Sequence, residues 1–112
     1  MVLGHESAGE VVAVGGGVDP GRVGQLIALE PGLPDRTCAE CLAGRYNLCS
    51  NVRFFATPSI DGSMAQYVAF DALFAHPAPA GLTAEEAAMA EPVAVGVWAN
   101  RRAGLPRATG CS

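Results

Sequence analysis

The chain has 112 residues, half of them hydrophobic but only 6% aromatic, with 14 glycines, 8 prolines and a formal charge of -4. That length allows one domain with a modest core, and the composition favours turn-rich β structure with short helices over a helical bundle. All seven basic residues are arginines, and only Arg101 and Arg102 adjoin, so a nucleic-acid face is not expected; no apolar run approaches the roughly eighteen residues of a membrane span.

In chain order, Ala8–Val14 is an apolar, valine-rich run that predicts a strand stopped by Gly15-Gly16-Gly17. Val18-Asp19-Pro20-Gly21 predicts a turn, and residues 25–29 a second buried strand. From Pro31 to Ser50 the pattern breaks into a cysteine-bearing loop, with one helical turn expected over residues 39–44. Asp61-Gly62 precedes Met64–Phe70, whose alternation predicts another strand. A short extended piece over Leu73–His76 leads to a linker at Pro77 and Pro79, with His76 a surface or linker histidine. Thr83-Ala84-Glu85-Glu86 reads as a capping box that opens a helix. Pro92 is expected to start a second helix at its first turn, with Arg101 and Arg102 near its end, Gly104 as its stop and Trp98 packing it. Residues 105–112 show no pattern that completes an element.

The richest chemistry lies in Asp35-x2-Cys38-x2-Cys41-x7-Cys49. Zn²⁺ takes four donors in a tetrahedron, and a C-x-x-C turn sets two sulfurs on adjacent corners of a loop. A third sulfur follows seven residues on, and Asp35 stands one step before Cys38, where a fourth donor is expected. A thioredoxin-like pair would place Cys38 at the start of a helix after a strand, and the nearby third cysteine argues against it. Disulfides need an oxidising compartment, and the N-terminus shows no secretory leader, so a cytoplasmic location with reduced thiolates is expected. Cys111 lies outside this group and is expected to be a free thiol.

Gly4-His5-Glu6-x2-Gly9-x5-Gly15-x2-Val18 is the second constellation. An imidazole and a carboxylate side by side at a glycine-marked turn can both reach one metal, although such a pair is commonly only hydrogen-bonded. Glu91, just ahead of a helix in an apolar stretch, taken by itself does no more than complement the helix N-terminus. The triple glycine follows a strand but leads into a turn rather than a helix, so a phosphate cradle is not expected.

Together these residues resemble the zinc-dependent medium-chain alcohol dehydrogenases, in the sorbitol/xylitol (polyol) branch. The pattern from Gly4 to Val18 matches that family's zinc signature, and Cys38–Cys49, with Gly44-Arg45-Tyr46-Asn47-Leu48-Cys49, resembles its structural-zinc lobe. Leu29-Glu30-Pro31-Gly32, Phe54-Phe55-Ala56-Thr57-Pro58, Asp61-Gly62 and Glu91-Pro92-Val93-Ala94-Val95-Gly96 resemble the polyol branch in particular. The resemblance implies a mainly β, partial GroES-like β-barrel catalytic domain over residues 1–104, with a zinc lobe over 31–50 and a non-matching tail over 105–112. It implies a catalytic Zn²⁺ at His5 and Glu6, with Glu91 binding the metal or its water, and a structural Zn²⁺ at Asp35, Cys38, Cys41 and Cys49. Phe54 and Thr57 match positions that line the substrate pocket. The implied reaction is Lewis-acid-assisted oxidation of a polyol or secondary alcohol to a ketone, with hydride passing to NAD(P). A homo-oligomer is implied for the full-length family.

Three departures carry expectations of their own. The family's first catalytic ligand is a cysteine upstream of this chain's start, Asp35 stands where the first structural-zinc cysteine is expected, and no G-x-G-x-x-G of a Rossmann domain follows the last helix. The chain is therefore expected to be part of a catalytic domain with little activity alone, as from a truncated or partial reading frame. Two other readings stay open here: a zinc-binding GroES-like module without chemistry, and a decayed product that does not fold because barrel edges are unpaired.

Overall fold

The computed structural model describes residues 1–104. Five short strands and three helices form the frame: β1 (Ala8–Glu10), β2 (Leu26–Leu29), β3 (Gly32–Leu33), α1 (Ala39–Leu42), β4 (Arg53–Phe54), β5 (Ala75–Pro77), α2 (Ala84–Ala88) and α3 (Ala90–Arg102). β2 is the centre of a three-stranded antiparallel sheet in the order β1-β2-β5, with Gly9 opposite Ile27 and Ala28 opposite His76. β3 and β4 make a separate antiparallel pair that closes the base of the cysteine loop. No helix among the described residues is long and apolar enough to cross a membrane.

The β1–β2 ladder gains one further rung, where the Val11 N–H donates to the Gln25 carbonyl at 3.0 Å and the Gly24 N–H to the Val11 carbonyl at 2.8 Å. The predicted strand over Ala8–Val14 therefore ends early. Gly24 sits at φ +85 and turns its chain away, so residues 12–14 have no ladder partner among the described residues, and Val12 is 60% exposed. The expected strand over Met64–Phe70 is not formed either. Met64 bonds back to Leu3, as Ser63 before it does to Gly4, but from Ala65 on no neighbouring strand among the described residues takes up the ladder, and Tyr67 stays 69% exposed.

The extended piece expected over Leu73–His76 is instead a 3₁₀ turn (Ala72–Phe74) followed by β5, which takes in Pro77. Asp71 caps that turn, its Oδ1 accepting the Leu73 N–H at 2.9 Å. Proline is tolerated there because β5 is an edge strand and needs no donor on its open side. Arg22 straps the turn to the sheet, donating to the carbonyls of Ala72 at 2.9 Å and Ala75 at 2.5 Å.

The buried apolar core is small: Cys49, Phe55, Phe74 and Ala87. Phe55 packs on Phe70 with ring centroids 4.7 Å apart, and Ala87 brings α2 down onto the sheet. The capping box forms as expected, with Thr83 Oγ1 accepting the Glu86 N–H at 3.2 Å and Glu86 Oε2 accepting the Thr83 N–H at 2.8 Å. α3 starts at Ala90, two residues before Pro92, so the proline lies in the first turn, where its missing N–H has no intrahelical partner to lose. Gly104, at φ +64, closes the helix. Trp98 does not pack as expected: it is 58% exposed, because α3 leans on α2 and carries its middle away from the sheet.

Candidate metal centres

The cysteine lobe folds around Asp35. Its Oδ1 accepts the backbone N–H groups of Thr37 at 2.8 Å and Cys38 at 2.9 Å, a local turn that carries the chain through Arg36 at φ +62. α1 then places Cys41 one turn beyond Cys38, with the two sulfurs 3.4 Å apart. Gly44 reverses the chain at φ +77, and a 3₁₀ turn over Tyr46–Leu48 delivers Cys49, whose Sγ accepts the Asp35 N–H at 3.4 Å. One donor atom from each of Asp35, Cys38, Cys41 and Cys49 lies within 4.8 Å of the other three.

A tetrahedral zinc with Zn–S near 2.3 Å sets its sulfurs about 3.8 Å apart, so this spacing fits one ion. The Cys38–Cys41 separation is far beyond an S–S bond of about 2.05 Å, and the three cysteines are free thiols. The Asn51 amide, then the N–H groups of Cys38 and Thr37, hold the Asp35 carboxyl well below the usual carboxylate range. The Cys41 backbone N–H draws the Cys38 thiol down, while burial, aided by the neighbouring sulfurs of Cys38 and Cys49, pushes Cys41 up to about 12. Crowded thiols beside an ionised carboxylate form an environment that a dication relieves.

The lobe is tied to the sheet from both sides. Arg36 pairs with Asp71, and its guanidinium lies 5.5 Å from the centre of the Phe74 ring, against which Tyr46 packs edge-on at 5.7 Å. His76 sits exposed on β5, with Nε2 3.0 Å from Glu30 Oε2, which also accepts the Tyr46 hydroxyl at 3.4 Å.

The second centre joins the two ends of the described chain. His5, Glu6 and Glu91 each place a donor atom within 4.8 Å of the other two, with His5 and Glu91 half-buried and Glu6 exposed. Glu91 lies in the first turn of α3, as its role beside the helix N-terminus requires, but it also faces His5 and Glu6. An imidazole and two carboxylates at this spacing are a donor set that can hold one divalent ion.

The His5 turn is held by a clamp over residues 61–64. Asp61 Oδ1 accepts the Val2 N–H at 2.7 Å. The N–H groups of Gly62, Ser63 and Met64 donate to the carbonyls of Val2, Gly4 and Leu3 at 2.8, 2.9 and 2.9 Å. Gly62 is buried against Leu3 and Gly4 so closely that a Cβ on it would lie 2.3 Å from the Gly4 oxygen. Gly4 itself sits at φ +94, facing Met64. The Phe54 ring stands 5.6 Å from the His5 ring, and the Thr57 hydroxyl donates to the Phe54 carbonyl at 2.6 Å, fixing the turn that presents both.

All seven expected metal-binding residues thus fall into two clusters, and Phe54 falls beside the second. Sequence reasoning missed Asn51, whose Nδ2 donates to Asp35 Oδ2 at 2.6 Å, and gave Asp61-Gly62 no part in holding the His5 turn. The one sign of Asn51 was its place two residues after Cys49. Cys111 lies outside the described residues.

The sheet therefore carries two groups of metal-capable donors, the cysteine lobe and the His5, Glu6 and Glu91 cluster. The alcohol dehydrogenase GroES-like domain model matches residues 1–80, and the chain belongs to that family. It is 47% identical over 105 residues to the sorbitol dehydrogenase of Bacillus subtilis, and 45% identical over 105 residues to the D-xylulose reductase A of Aspergillus niger. The two matches cover 94% of this chain and 30% and 29% of those proteins, so the chain spans about a third of the length of its relatives. An NADP-bound crystal structure of a candidate zinc-binding dehydrogenase from Sinorhizobium meliloti superposes with a TM-score of 0.77 at 36% identity, over 85% of this chain and 28% of that one.

Proposed function

We propose that the chain is part of a zinc-dependent, NAD(P)-linked dehydrogenase that oxidises a polyol or secondary alcohol to a ketone. The observation that carries this reading is the convergence of His5, Glu6 and Glu91 from opposite ends of the described chain. Its relatives named for sorbitol and xylulose, and the NADP in the Sinorhizobium structure, support the substrate class and the cofactor. On this reading residues 1–104 form one partial catalytic domain with its lobe at 31–50, acting in the cytoplasm within a homo-oligomer.

His5, Glu6 and Glu91 would hold the catalytic zinc, and Asp35, Cys38, Cys41 and Cys49 the structural one. When bound, the catalytic ion supplies Lewis acidity to the substrate oxygen. The chain's own contribution is placement and exclusion of water. The clamp at residues 61–64 fixes the His5 backbone, Phe54 walls the imidazole with an apolar ring, and Thr57 locks that wall. Asp35 and the three thiolates hold the lobe's shape.

The test replaces the matching segment of the Bacillus subtilis sorbitol dehydrogenase with residues 2–104. The chimera is expected to carry two zinc ions per chain and to oxidise sorbitol. Glu91→Ala abolishes turnover while leaving the lobe's zinc, and Cys41→Ser removes the lobe's zinc. A folded chimera whose turnover survives His5→Ala would refute the reading. The 112-residue chain alone is expected to show no turnover with NAD⁺ and sorbitol or xylitol.

A further inference from the structure

We infer that Asn51 positions Asp35 as a single-oxygen donor to the lobe's metal. This rests on the proposal that Asp35, Cys38, Cys41 and Cys49 hold zinc. An ionised carboxylate presents about four lone-pair sites, two on each oxygen. On Asp35, Oδ1 already receives the N–H groups of Thr37 and Cys38, and Oδ2 receives the Asn51 amide at 2.6 Å. Three sites are therefore occupied, and one on Oδ2 is left to bind. A carboxylate held this way binds through one oxygen, which with three thiolates makes four ligands; a two-oxygen grip would make five.

The Oδ1 bonds are local, made by residues two and three positions further along. They anchor one oxygen and say nothing about what lies across the lobe. Asn51 reaches Asp35 from beyond Cys49, and the Asp35 N–H meets Cys49 Sγ at 3.4 Å. Two hydrogen bonds therefore fasten the first donor of the set to the turn that bears the last. The amide orientation follows from chemistry: a carboxylate only accepts, so nitrogen rather than oxygen must face it. An amide donor also offsets part of the negative charge where three thiolates and a carboxylate share one dication. Outer partners of this kind orient metal ligands, and losing one typically lowers metal affinity about 10–100-fold.

The experiment loads the 112-residue chain with Co²⁺ and reads the thiolate-to-cobalt charge-transfer band, which reports the cysteine centre and is blind to His5, Glu6 and Glu91. Affinities come from competition with a chelator for the unaltered chain, Asn51→Ala, Asp35→Cys and the double variant. Asn51→Ala is expected to weaken binding about 10–100-fold. In the Asp35→Cys background, where a thiolate replaces the carboxylate that Asn51 orients, the same change is expected to have little effect. An equal loss in both backgrounds, including one caused by misfolding, would show that Asn51 acts through the fold and overturns the inference. So would no loss in Asn51→Ala, with the zinc reading left standing. No charge-transfer band in the unaltered chain overturns both.

Discussion

Gly62→Ala puts one methyl group where the backbone of the His5 turn already runs. The new Cβ would lie 2.3 Å from the Gly4 oxygen and 2.5 Å from the Leu3 oxygen. Restoring an ordinary contact of about 3.4 Å takes roughly 1 Å of movement, and both neighbours are backbone that cannot swing aside. Overpacking of this kind costs about 1–3 kcal/mol, and each clamp hydrogen bond that breaks adds about 1 kcal/mol. The expected loss is about 2–4 kcal/mol, read as a shift in urea midpoint at constant slope. Gly9→Ala is the matched control. It lies in β1 with no heavy atom within 4 Å of its would-be Cβ, so it is expected to be neutral or slightly stabilising. In the chimera, Gly62→Ala is also expected to cut sorbitol turnover by about 100-fold, because a 1 Å misplacement of a reacting group has that effect. If Gly62→Ala and Gly9→Ala share one midpoint and one turnover rate, the clamp does not position His5.

Other expectations are simpler. Thr83→Ala breaks both halves of the capping box and should cost about 1 kcal/mol in chemical unfolding. Phe74→Ala removes the ring that Arg36 and Tyr46 share, and should cost about 3–5 kcal/mol while loosening the lobe's amides in hydrogen exchange. Trp98→Ala, by contrast, should move the midpoint by less than about 0.5 kcal/mol, since the indole is 58% exposed; a larger loss would mean that α3 packs more tightly than it does here.

Local chemistry was the legible part of the sequence. The Thr83 and Glu86 side chains each bond the other's backbone N–H, Gly44 and Gly104 answer to their own backbone angles, and Cys38 and Cys41 are set by one turn of chain, so each could be read in place. What failed were inferences about which neighbour a strand or a helix face would find. Alternation over Met64–Phe70 showed a chain suited to a sheet, but a strand exists only where a partner completes its ladder. Val12–Val14 lost their partner because Gly24, a dozen residues away, turns aside. Trp98 looked like core by its chemistry, yet the path of α3 leaves it outside. Asn51 and Gly62 act by reaching across the fold, and residue spacing records little of that reach.

β2 and β5 lie side by side, yet the lobe, the Phe54 turn and the clamp all fall between them in the chain. Topologically, that whole stretch is a single excursion from a hairpin-like pair, anchored at its base by the Arg22 strap. Closing a longer excursion costs only about 0.6 kcal/mol for each doubling of length. Length changes there are cheap in chain entropy, while Cys49, Phe55 and Phe74 tie the excursion back into the core. The register of the sheet therefore rests on β1, β2 and β5, and the excursion between Glu30 and Phe74 returns to it through the residues it contributes to the core.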